Sequence, residues 1–134
     1  MNEELKNQIQ KWHNDLEHEK IIRAILEIPE ALWDYDLIGL LARAYNNNNE
    51  YDKAVEQLLT VSERGENDAI WVFRLAFAYF YKDEWEKALE LFERCKELNP
   101  DDQDVDYFIA ALTKQKMAII LIYWKKNNCW KYLV

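Results

Sequence analysis

Only a few side chains in this sequence have the reactivity to do chemistry, and their spacing decides whether they do. His13 and His18 are five residues apart. A helix that holds a metal through two histidines carries them four apart on one face, so this pair reads as exposed or locally bonded. The two cysteines, Cys95 and Cys129, cannot by themselves make a disulfide framework or a zinc site. Cys95 falls at a small-residue position of a helical pattern and reads as a buried thiol packing as a small hydrophobe. Cys129 falls in an apolar tail, in a position open to solvent. The acidic pairs Glu3–Glu4 and Asp101–Asp102 lie at helix starts, where carboxylates favour the helix dipole. No Gly-rich phosphate loop, nucleophile elbow or Cys–His motif occurs. The chain reads as non-enzymatic, with no catalytic residue, metal or cofactor implied.

Composition narrows the class further. Of 134 residues, half are apolar, 31% are charged and only two are Gly and two Pro. That mixture suits a single helical domain and is too poor in turn residues for an all-β chain. The net charge is −8, and no Asp or Glu follows Asp106, where five lysines stand, which leaves −13 on the first 106 residues. An acidic body repels phosphate, so nucleic-acid binding is excluded for it. The start, MNEELKNQIQ, lacks the basic and apolar regions of a secretory signal. The longest apolar run, Met117 to Trp124, is eight residues, against the roughly 20 that span a bilayer. A soluble, cytoplasmic protein is expected.

The elements that would position any functional side chain emerge on sliding the chain by 34 residues. Leu41, Ala42, Ala44 and Tyr45 then fall on Leu75, Ala76, Ala78 and Tyr79. Glu50, Lys53, Ala54 and Glu56 fall on Glu84, Lys87, Ala88 and Glu90, and Glu63 and Asp68 meet Glu97 and Asp102. Leu41, Ala42 and Tyr45 share one face of a first helix, and Ala54, Leu58 and Val61 share one face of a second. The alanines let two helices approach closely. Asn46 to Asn49 is turn-prone. Asp83 followed by Glu86 has the form of a capping box, Asp68 can cap a helix from Ala69, and Asn99-Pro100 ends one.

These residues resemble the tetratricopeptide repeat, whose first helix carries a large apolar residue, Leu, a small residue and Tyr. Here they are Ile38, Leu41, Ala42 and Tyr45, then Val72, Leu75, Ala76 and Tyr79. The second helix of the later unit supplies Ala88, Phe92, Cys95 and Pro100; the earlier supplies Ala54, Leu58 and Val61, with Glu66 in place of the Pro. The resemblance covers two units, 35–68 and 69–102. Residues 1–34 read as a degenerate first pair with Trp12, Ile21, Ile22, Ile25 and Leu26 as core, 103–126 as a capping helix, and 127–134 as a tail. The arrangement is also similar to a repeat module of bacterial cytoplasmic proteins. The resemblance implies an all-α solenoid of about seven helices in antiparallel pairs, wound as a right-handed superhelix.

The resemblance also implies a concave groove lined by first helices, where a protein or peptide partner would lie. The positions that face it would be Asp36, Gly39, Arg43, Asn46 and Asn47; Phe73, Arg74, Phe77, Phe80 and Tyr81; and Asp104, Tyr107, Phe108, Ala111 and Lys114. The family's carboxylate clamp is not reproduced, since Arg43 and Arg74 are its only candidates and their surroundings differ. The stripe of Phe73, Phe77, Phe80 and Tyr81 has two readings: core covered by the chain itself, or aromatic anchors in a partner groove.

Residues 117–134 add a further expectation. Met117 to Trp124 with Trp130, Tyr132, Leu133 and Val134 is too apolar to face water. This segment is expected to pack on the repeats or to bind a second copy. Its lysines form no clean polar face, which argues against membrane-surface binding.

Overall fold

The computed structural model describes residues 1–126, and every regular element among them is helical. The order is α1 (Glu3–Asn14), α2 (His18–Leu26), a 3-10 turn (Glu30–Leu32), α3 (Tyr35–Asn47), α4 (Tyr51–Leu59), α5 (Ser62–Gly65), α6 (Ala69–Tyr81), α7 (Trp85–Leu98) and α8 (Gln103–Lys126). Cys129 and the apolar residues from Trp130 onward lie outside the described residues.

The first helix of each unit, α1, α3, α6 and α8, starts the same way. Asn2, Asp34, Asp68 and Asp102 each accept a backbone N–H of the helix that follows, from Leu5 (2.7 Å), Leu37 (2.8 Å), Ile70 (3.0 Å) and Asp104 (3.0 Å). Each satisfies a donor that the first turn leaves without an intrahelical partner. The turns within the pairs are also alike. Leu16, Asn49 and Asp83 take left-handed φ values of 59°, 61° and 62°. The next N–H then donates back across the turn: Glu17 to Trp12 (2.8 Å), Glu50 to Tyr45 (2.8 Å) and Glu84 to Tyr79 (3.0 Å). This is the six-to-one bond that closes a helix C-terminus. Trp12, Tyr45 and Tyr79 thus occupy one register position. Asp83 is the left-handed turn residue rather than the first member of a capping box, and Glu84, the N-cap of α7, makes no side-chain capping bond.

One helix more than the expected seven appears because α5 splits from α4. The Leu58 carbonyl, which would continue α4, accepts the indole N–H of Trp71 at 2.9 Å. The Thr60 hydroxyl donates to the Gln57 carbonyl (2.6 Å) and that of Ser62 to Leu59 (2.8 Å), so the broken ladder keeps its partners. The Trp71 ring lies directly over Gly65, where a Cβ would collide with it.

Packing follows the small residues. α3 pairs with α4 and α6 with α7, while α4 and α7 each also pack on the first helix of the next unit, α6 and α8. Ala42, Ala54, Ala76 and Ala88 are fully buried at these crossings, with Leu58 and Phe92 filling the space beside them. Burial pushes the Cys95 thiol up to about 12. In the first pair Ile9, Ile21, Ile22 and Ile25 are buried and Trp12 is half-buried. Leu26, expected in that core, is 52% exposed: it is the last residue of α2 and lies about 100° round the helix from Ile25. No described helix is long and apolar enough to cross a membrane.

Candidate partner-binding face

α6 is apolar around most of its circumference because neighbours cover it on two sides. Leu75, Ala76 and Ala78 face its own pair and the preceding unit. Phe73, Phe77 and Phe80, at spacings of four and three, face α8. There Phe108 meets all three edge-on, with ring centroids at 5.9, 6.1 and 5.0 Å. Phe108 also stacks flat on Phe92 at 4.6 Å. The cluster continues outward through Phe77 to Tyr81 (4.7 Å), which stacks on Tyr51 (5.5 Å). Tyr81 is 47% exposed and Tyr107, beside Phe108, is 71% exposed. The aromatic stripe therefore has a dry inner edge and an open outer edge, so neither reading from sequence describes it alone.

A second group lies where α1, α2 and α3 meet α6. Arg74 crosses α3 at Gly39, where an added Cβ would stand 2.7 Å from its Nη1. Asn46, buried, donates from Nδ2 to the Arg74 carbonyl at 3.0 Å and so ties α3 to α6. Burial, and then the Arg43 charge, push the Arg74 guanidinium down to about 10. Arg43 is lowered by burial as well, and its Nε and Nη2 are buried without a hydrogen-bond partner. His13 and His18 come together across the turn at 6.1 Å between rings. Both Nδ1 atoms are buried and unpartnered. Burial, followed by Arg43, His18 and Arg74, lowers the His13 pKa. Nearby, the Tyr35 hydroxyl donates to Asp68 at 2.6 Å, and the Arg64 guanidinium sits 4.0 Å from the centre of the Tyr35 ring.

Among the positions expected to line a groove, Asp36, Asn47, Tyr81, Tyr107 and Lys114 are exposed, and Arg43, Phe73, Arg74, Phe77 and Phe80 are half-buried. Asn46 and Phe108 are buried in helix–helix contacts. Asn46 is a strut between α3 and α6, and Phe108 is the wedge that seats α8. His13 and His18 flank a turn, where an i, i+4 rule along one helix does not relate them. His13 follows Trp12 as Asn46 follows Tyr45 and Phe80 follows Tyr79, and that register was the available signal. Trp71 has no counterpart in the repeat pattern and carried none.

Helix pairs that stack through small residues, each closed by the same left-handed turn, define an α-solenoid. The tetratricopeptide repeat family model matches residues 69–102. A tetratricopeptide repeat-containing protein of Methanocaldococcus jannaschii is 29% identical over 97 residues, which cover 72% of this chain and 17% of that protein. The chain therefore spans about a sixth of the length of this relative. The first tetratricopeptide domain of the human RPAP3 protein superposes with a TM-score of 0.75 at 17% identity, covering 85% of this chain and 91% of that one. The C-terminal repeat domain of a Plasmodium falciparum FK506-binding protein does so with a TM-score of 0.72 at 20% identity, covering 87% and 88%. Residues 69–102 thus match the tetratricopeptide repeat, and the chain has the fold of tetratricopeptide-repeat domains.

Proposed function

We propose that this chain is a non-catalytic interaction module that holds a protein or peptide in a groove along its first helices. Phe77, Phe80, Tyr81 and Tyr107 act as apolar anchors, with Asp36, Arg43, Asn47, Arg74 and Lys114 as polar contacts. The half-open aromatic stripe carries this reading: large rings fixed by neighbours on one edge and free on the other lose little side-chain entropy on binding. The repeat fold supports an interaction role of this kind. Affinity capture with the wild type and with Tyr81→Ala/Tyr107→Ala tests it. Both side chains are exposed, so helicity is retained while partners are lost. A variant that captures the same partners as the wild type refutes the placement of the site.

A second reading has its own observation. Met117, Ile119, Leu121 and Ile122 on α8 are each half or more exposed. Beside them a cleft of about 740 Å³ opens between α7 and α8, with Trp85, Leu89, Leu112 and Ile120 on its floor and Glu86, Glu90 and Glu93 on its rim. Apolar surface of this extent with an acidic border suits a second copy bound through residues 117–134, whose charged residues are all lysines. Sedimentation across concentration checks this. A monomer at every concentration, unchanged by Leu121→Glu/Ile122→Glu, rules it out.

A further inference from the structure

We infer that His13, His18 and Arg43 form a binding site for an oxyanion, a sulfate-, phosphate- or carboxylate-type group, which takes up a proton as the anion binds. Every buried side-chain polar atom without a partner among the described residues falls in this one cluster: His13 Nδ1, His18 Nδ1, Arg43 Nε and Nη2, and Asn46 Oδ1. Four of the five are nitrogens of cationic or protonatable groups. Neither Arg43, Arg74, His13 nor His18 makes a salt bridge with any described residue. This is notable in a body with so large an excess of carboxylates, where an arginine has many partners within reach. A buried guanidinium edge with no acceptor is costly.

The geometry suits an oxyanion. Arg43 Nε and Nη2 are the adjacent pair that grips two oxygens of one group side by side. The imidazoles lie on the opposite elements, α1 and α2, and a protonated imidazole donates from both nitrogens. All four residues are only half-buried overall, so the cluster reaches the surface although the named atoms do not. Asn46 Oδ1 is the one acceptor and is suited to a bridging water. The charges facing His13 are Arg43 from α3, His18 from α2 and Arg74 from α6, all of which resist its protonation. Asp36, Asp68 and Tyr35 act on Arg74 from the far side. An anion placed among these groups reverses the field at His13, so binding and protonation assist each other. Affinity is full below the free-state pKa of the histidine and falls as pH rises from that value to the higher bound-state pKa. This inference stands apart from partner binding, because a free anion needs no partner.

The test is an NMR titration of the full chain with sulfate, whose charge is constant across the range, and with acetate as the planar alternative. The chain has only two histidines, so His18→Gln assigns their imidazole signals. Saturable shifts of both rings are expected at about pH 5.5, with affinity weakening by up to about tenfold per pH unit between the free-state and bound-state pKa values. The tighter of the two anions names the geometry of the natural group. Arg43→Gln is expected to abolish saturation. No saturable response to either anion in the wild type overturns the inference, as does affinity that is flat with pH or unchanged by Arg43→Gln.

Discussion

Replacing Gly65 by alanine sets two physical effects against each other. Gly65 lies in helical backbone without a positive φ, so helix propensity alone predicts that alanine stabilises by about 1 kcal/mol. Sterics predicts the reverse. The new methyl would sit on the Cγ, Cδ2 and Cε2 atoms of Trp71. The indole cannot slide aside cheaply, because it is 6% exposed and its N–H is bound to the Leu58 carbonyl at 2.9 Å. Forcing it out costs about 1–3 kcal/mol in overpacking, and breaking the indole bond adds about 0.5–1.5 kcal/mol, since the Leu58 carbonyl keeps the Val61 N–H at 3.1 Å. The net loss after the propensity gain is roughly 0.5–3.5 kcal/mol. In a urea melt, with a slope of about 2 kcal/mol/M, the midpoint falls by about 0.3–1.8 M. The same substitution made on Trp71→Ala should be neutral or stabilising, since the collision is gone. A Gly65→Ala midpoint at or above the wild type refutes the steric argument and with it the account of the α4–α5 break.

Other consequences are checkable by similar means. Leu16 holds a left-handed φ of 59° with a side chain that is 76% exposed, so Leu16→Gly should raise stability by about 1 kcal/mol in the same melt. Phe92→Ala should lower stability by about 3–5 kcal/mol because Phe92 is fully buried, whereas Tyr107→Ala should stay within about 0.5 kcal/mol of wild type. In Cys129→Ser, the Cys95 thiol, held up to about 12 by burial, should resist a thiolate-selective reagent until the chain unfolds. Its contribution to stability is full below the ordinary thiol pKa and is lost as pH rises toward the folded value. Asp34 runs the opposite way: bonding to the Leu37 N–H, and then to the chain's amino terminus, lowers its pKa. Its capping contribution is present above the usual carboxylate range and lost as pH falls, and Asp34→Ala should remove that part of the acid transition.

The repeat was legible because the residues that specify it act locally. Tyr45 and Tyr79 mark the helix ends, the paired alanines mark the crossings, and Asp34, Asp68 and Asp102 cap at constant spacing. What escaped depends on side chains that meet only after the units stack. Trp71 draws a carbonyl from the preceding unit, and nothing near Leu58 or Gly65 in the sequence foretells that. Asp83 has the chemistry for a cap and also for a left-handed turn, and only the backbone decides between them. The stripe on α6 could not be assigned to core or surface because both edges of the same rings are in use. His13 and His18 meet across a turn, where spacing along a single helix gives no guidance.

α8 is 24 residues long, against 13 for α3 and α6. Its six residues from Leu121 to Lys126 run on past Ile120, which borders the cleft against α7, and extend the rod by about 9 Å. The overhang is thus carried by a helix whose first half is anchored through Phe108, seated among Phe73, Phe77, Phe80 and Phe92, so its apolar surface is held at a fixed reach from the aromatic cluster.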